Sequence, residues 1–265
     1  MGNAVKRSPD DGRGQIDDNT MTIRAWRANC SIVVLLRVLP WSCCLMPAVL
    51  LATPACAQRE DTQFWTQINT NVPLTQDVRV TLEQIARFSD RQDGLYQTEF
   101  GALLGVKAAR GIELGLGYRK VGAHNGNSGA DEDRIRQQIV GTFGAFVTRF
   151  RIDERINPRG DEIGFRIRPL VRYNHRLGAG KTAVFVSHES FVLPNTTRWG
   201  QRSGYERMRN IVGLMLPLGP RMVADIGYLN QFRPGRSGSR AQMDHALNVQ
   251  LTINIRGMIF PHLQD

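Results

Sequence analysis

The chain is short of lysine. Only Lys6, Lys107, Lys120 and Lys181 occur in 265 residues, so the basic excess, 34 Lys+Arg against 24 Asp+Glu, is almost entirely arginine. Cysteine is confined to Cys30, Cys43, Cys44 and Cys56, which excludes a disulfide scaffold or a Cys-bearing metal site from residue 58 onward. Long apolar runs are missing there too. No stretch beyond residue 57 approaches 18 uninterrupted apolar residues, so no transmembrane helix is expected in that part. His124, His175, His188, His245 and His262 are scattered, without metal-ligand spacing. With 42% hydrophobic and 22% charged residues the chain nevertheless has the means to bury a core, and disorder is not expected.

The first 57 residues have a character of their own. Residues 1–20 are polar and aperiodic and precede a second methionine, as an over-called start or a disordered extension would. From Met21 the chain carries Arg24 and Arg27, an apolar run from Val38 to Ala52, and Ala55-Cys56-Ala57 before Gln58. That is the three-part pattern of a secretory signal peptide over 21–57, cleaved near Ala57. A retained anchor over Ser31–Ala52 is the alternative, but Arg37 interrupts it and Pro40, Pro47 and Pro54 oppose a helix. Six basic and four acidic side chains fall in this segment, so 58–265 keeps 28 and 20, a net of +8.

What fills 58–265 is alternation of period two. Val78, Val80, Leu82, Ala86 and Phe88 interleave with Arg79, Thr81, Glu83, Ile85 and Arg87; Phe150, Ile152 and Ile156 are set against Arg149, Arg151, Asp153 and Arg155. Phe165, Ile167, Val171 and Tyr173 alternate with Arg166, Arg168, Arg172 and Asn174. The segments are 64–72, 78–88, 95–107, 112–121, 134–143, 146–156, 163–174, 182–192, 205–216, 221–232 and 242–255. Most run to about ten residues, the length of a tilted bilayer-crossing strand, and their polar face mixes Arg with Asp and Glu. A closed barrel would turn that face into its lumen, where guanidinium and carboxylate pair. Short turns at 73–76, 108–111 and 217–220 alternate with long polar loops at 122–133, 193–203 and 233–241, and Tyr96, Tyr118, Tyr173, Tyr205 and Tyr228 near strand ends suit an interfacial girdle.

The expected fold is therefore all-β, an antiparallel membrane β-barrel of about 10–12 strands over 58–265. Eleven segments conflict with the even count expected of a bacterial barrel, so either the weak first segment lies outside the wall or one strand is uncounted. Pro169 lacks a ladder N–H, and a bulge is expected there.

Several runs carry a family resemblance: Phe64-Trp65, Arg149-Phe150-Arg151-Ile152-Asp153-Glu154-Arg155 with Arg166-Ile167-Arg168, Glu206-Arg207-Met208-Arg209 with Gly213, and Ile226-Gly227-Tyr228-Leu229-Asn230-Gln231. Together, over roughly 60–255, they resemble the bacterial family called domain of unknown function 2490. The resemblance implies an exported outer-membrane barrel and brings no activity. The tail departs from such barrels, which end on an aromatic in the last strand, whereas Arg256–Asp265 follows it here; Phe260 is the substitute at hand.

Candidate chemistry is sparse. His188-Glu189-Ser190 invites a hydrolase, but on a strand Glu189 points away from its two neighbours, leaving His188 and Ser190 free to meet on one face. Gly178-Ala179-Gly180-Lys181-Thr182 lacks the first glycine of a phosphate loop, since His175 stands there, and Gly115-x-Gly117 precedes no helix. No catalytic residue, cofactor or metal is expected, and the chain is expected to be non-enzymatic. The expected lumen lining is Arg79, Glu83, Glu99, Glu113, Arg119, Arg149, Arg151, Asp153, Arg155, Arg166, Arg168, Arg172, Arg209 and Asp225. It either selects anions in a passive pore or pairs internally to fill the barrel. Outer-membrane lipid, the barrel-assembly machinery and small anionic solutes are the expected partners, and nucleic acid is not. A lipid-modifying barrel enzyme or a soluble periplasmic β-domain are the alternatives.

Overall fold

Alternating side chains become eleven strands, β1 (Arg59–Pro73), β2 (Val78–Ser89), β3 (Gly94–Ala109), β4 (Ile112–Ala123), β5 (Glu132–Phe143), β6 (Phe146–Ile156), β7 (Ile163–Arg176), β8 (Ala183–Leu193), β9 (Gly204–Pro217), β10 (Met222–Arg233) and β11 (Gln242–Asn254). The structure is a computed structural model that describes residues 58–255 except 128 and 237. The expected start-site extension, the signal peptide and the tail with Phe260 lie outside the described residues.

Each strand pairs antiparallel with the next, and β1 closes the barrel by pairing parallel with β11, from Arg59 opposite Gln242 to Asn71 opposite Asn254. This corrects the even-number expectation. The weak first segment is a wall strand, and a parallel seam is what lets an odd count close without leaving a sheet edge. Every even-numbered turn, including the long 124–131, 194–203 and 234–241, opens at the end where β1 begins; the turns 74–77, 110–111, 144–145, 177–182 and 218–221 lie at the other. In the tight turn before β4, Gly111 takes φ +76° and a Cβ there would lie 2.6 Å from the Thr142 carbonyl oxygen, so both conformation and space call for glycine.

Two further expectations need correction. At Pro169 there is no bulge: β6 pairs straight through it, while pairing with β8 lapses between Ile167–Val192 and Leu170–Glu189 and resumes in unchanged register. A missing N–H costs ladder bonds on one side only. Tyr96 is not an outer-girdle residue. The irregularity opposite Arg87 and Phe88 inserts it as an extra residue, and its buried side chain donates to Gln63 Oε1 at 3.1 Å.

The outer face is apolar toward the short turns, with Leu82, Leu116, Ile139, Phe143, Phe146, Val186, Val212 and Ile226. Polar outward pairs gather in the half toward the long loops: Thr98 with His124, Lys120 with Asp133, Gln137 with Glu154, and Tyr228 with His245. Inside, a small apolar cluster of Trp65, Phe185, Ile211, Leu229 and Ala246 sits among charged side chains.

Candidate functional sites inside and on the wall

Each strand delivers its alternate residues to the interior, so the lumen is built layer by layer from the polar row. There are fewer carboxylates than guanidiniums, and the carboxylates are shared. Glu189 accepts from Arg149 at 2.6 Å, Arg168 at 2.9 Å and Arg209 at 3.4 Å. Asp153 takes Arg166 at 2.6 Å and Arg168 at 3.4 Å. Glu99 takes Arg119 at 2.8 Å and Arg87 at 3.0 Å, while Arg119 and Arg136 meet on Glu83. Arg79 pairs Glu113 at 2.7 Å, Arg172 pairs Asp225 at 2.7 Å, and Arg155 pairs Glu132 at 2.6 Å. Such forks are directional as well as charged, so they fix side chains in a space that apolar packing would leave loose.

Aromatic rings take up part of the remaining charge. Arg87 and Arg209 lie 4.2 and 4.6 Å from the Trp65 ring centroid, Arg172 lies 3.8 Å from that of Phe185, and Arg168 lies 4.7 Å from that of Phe191. At the waist Arg119, Arg136, Arg151, Arg172, Asp153, Gln231 and Gln250 are each under 2% exposed. Above and below it are two cups. The cup toward the long loops, about 250 Å³, is lined by Arg87, Arg134, Arg155, Arg207 and Arg233 with Asp61 and Glu132. The cup toward the short turns, about 1000 Å³, is bounded by Val147, Arg172, Tyr173, Met215 and Asn254.

A second constellation stands on the outer wall, within the polar half. His188 Nε2 is 3.0 Å from Ser190 Oγ, and His188 Nδ1 is 2.7 Å from Asn210 Oδ1 on the neighbouring strand. Ser190 Oγ is also 3.3 Å from the Tyr205 hydroxyl. The β8–β9 register sets Asn210 opposite His188, and its shift at Phe191/Val192 brings Tyr205 close.

A model of the family described as "Protein of unknown function (DUF2490)" matches residues 62–242. The chain belongs to this family. The matched span runs from within β1 through β10 to the first residue of β11, so ten strands of this DUF2490 barrel are covered and the rest of β11 lies beyond the match. An uncharacterised protein of Methylorubrum extorquens is 33% identical over 217 residues, spanning 77% of this chain and 93% of that protein. A solved chain from a study of the in-meso crystallisation of membrane proteins is similar at TM-score 0.37 and 12% identity, covering 69% of this chain and 79% of that one.

In this DUF2490 barrel the fourteen residues expected to line the lumen all project inward, and all but Arg151 appear in the ion pairs just described; Arg151 donates to Gln138 at 3.0 Å. Several partners were not singled out from sequence. Arg87, Arg134, Arg136 and Glu189 occupy the same inward rows, so alternation alone could have found them, whereas Glu132 falls in the stretch read as a loop at 122–133 and opens β5 instead. On the outer wall, His188 and Ser190 do meet, as their shared face allows. Asn210 and Tyr205 were missed because they come from another strand, and only the register unites the four. Among the described residues, no three His, Cys, Asp or Glu side chains are grouped to hold a metal.

Proposed function

We propose that this protein is a barrel of the bacterial outer membrane whose interior is a sealed, ion-paired core. The observation that carries the proposal is an inverted distribution of polarity: Phe100, Leu116, Phe143 and Val186 are 52–58% exposed on the outside while Arg119, Arg136 and Arg172 are buried within. A soluble sheet protein rarely leaves so continuous an apolar surface to water, whereas lipid covers it at no cost. With the short turns on the periplasmic side and the long loops outside, the apolar belt lies in the hydrocarbon and the polar half of the wall meets the outer headgroups. The partners are then lipid around the belt and the machinery that inserts barrels.

The interior serves structure, not conduction or catalysis. A passive anion pore needs a continuous water path, and side chains under 2% exposed across the middle of the lumen favour a closed interior.

Membrane fractionation followed by electrophoresis with and without boiling tests the location and the closed fold together. An outer-membrane band whose mobility changes on heating is expected; a soluble band with no change overturns the proposal. In planar bilayers the reconstituted protein should show no single-channel steps. Steps whose anion selectivity is lost in Arg151→Gln combined with Arg168→Gln would restore the pore.

A further inference from the structure

Where the sequence pointed to a non-enzymatic barrel, one place on the outer wall has the parts of a hydrolase. We propose that Ser190, His188, Asn210 and Tyr205 form an acyl-ester hydrolase site that works on membrane lipid, which rests on the outer-membrane location proposed above.

One polarity satisfies every contact in the hydrogen-bond chain. An amide oxygen only accepts, so the 2.7 Å contact to Asn210 Oδ1 puts the imidazole proton on His188 Nδ1. Nε2 then carries the lone pair, and the Ser190 hydroxyl 3.0 Å away donates to it. With its own proton so used, Ser190 Oγ accepts from the Tyr205 hydroxyl at 3.3 Å. Nucleophile, general base and orienting group are thus in the order that activates a serine, and Tyr205 supplies a donor beside the point of attack.

The surroundings name the substrate class. Ser190 lies three residues from the end of β8 at the long loops, about 10 Å along the strand and less along the barrel axis. It lies in the polar half of the outer wall, which the proposed orientation sets at the outer headgroups. Val186 and Val212 below it offer an apolar track for an acyl chain. A lipid held by the belt therefore presents its ester carbonyl to Ser190 without leaving the bilayer.

Ser190 Oγ attacks the carbonyl carbon as its proton passes to His188 Nε2, and the oxyanion takes the Tyr205 hydrogen bond. The carbon–oxygen bond to the lipid alcohol breaks, and His188 returns the proton to the leaving oxygen. Water then attacks the acyl carbon as His188 Nε2 takes one of its protons, the bond from that carbon to Ser190 Oγ breaks, His188 returns the proton to Oγ, and fatty acid leaves. The sum is ester plus water to acid plus alcohol.

The test uses the full chain isolated from membranes, with phosphatidylethanolamine micelles in one arm and lipopolysaccharide in the other, and a long-chain fluorophosphonate as a covalent probe. Fatty acid release in one arm and probe attachment at Ser190 are expected, and the arm that responds identifies the lipid. Ser190→Ala and His188→Ala should each lower release by roughly 1000-fold or more. Tyr205→Phe should lower kcat by roughly 100-fold with KM held, as loss of a transition-state donor does. Asn210 is a positioning residue: Asn210→Ala should lower activity and Asn210→Asp should rescue it. A wild-type barrel that shows the heat shift yet releases no acid and takes no probe overturns the hydrolase and leaves the membrane proposal standing. Equal activity in Ser190→Ala also overturns it. A soluble chain labelled at Ser190 keeps the serine site and removes lipid as its substrate.

Discussion

One carboxylate can hold several strands. Glu189 on β8 accepts from Arg149 on β6, Arg168 on β7 and Arg209 on β9, so it joins four strands inside the wall. Removing it strips a shared counter-charge from guanidiniums that remain buried, which costs about 3–5 kcal/mol. Glu189→Ala is accordingly expected to lower the urea midpoint at which the heat-modifiable band is lost, whereas Glu154→Ala on the outer face should stay within about 0.5 kcal/mol of wild type. A midpoint unchanged in Glu189→Ala would show that the interior network carries no stability. The arginines at 149, 151 and 155 were legible in the sequence because each alternates with an apolar neighbour. The partners were less so. Arg149 reaches Glu189 across β7, and such a contact depends on the curvature of the wall, which period-two counting does not contain. His188 and Ser190 were legible as a pair on one face; Asn210 was not, because nothing in β9 read alone points to β8.

At the level of strands, most boundaries followed from the alternation, and the closure did not. Nothing in Arg59–Pro73 announces that it lies parallel to Gln242–Asn254, since the pairing direction of two distant segments leaves no trace in their periodicity. A cysteine pair tests it. Thr66 and Val249 are register partners on the seam, and residues 58–265 contain no cysteine of their own. Thr66→Cys with Val249→Cys should form a disulfide on oxidation, visible as altered mobility of the boiled chain; its failure to form would mean that β1 leaves the wall. Glycine carries another part of the element-level design. Gly213 and Gly227 face each other across β9 and β10, and a Cβ on Gly213 would lie 2.7 Å from the Gly227 Cα and 2.9 Å from the Phe185 ring. Gly213→Val should therefore destabilise the barrel by about 1–3 kcal/mol, measured by the same urea titration.

The barrel is charged within and apolar without, so a span of net charge +8, residues 58–265, presents little charge along its apolar belt. Its proposed orientation can be read from intact cells. Asn125→Cys, in the 124–131 loop, should react with a membrane-impermeant maleimide, and Gly144→Cys, in the turn between β5 and β6, only after the outer membrane is opened. The reverse pattern would invert the barrel and put the Ser190 constellation at the inner leaflet. The parallel seam has one more consequence. A barrel of paired hairpins hands its polypeptide back to the compartment from which it came. Eleven passes do not: Arg59, where β1 begins, and Asn254, where β11 ends, stand at opposite ends of the wall. In the proposed orientation the start of β1 faces the cell exterior, so a passenger joined directly to Arg59 would be displayed to the medium and one joined directly to Asn254 would stay in the periplasm.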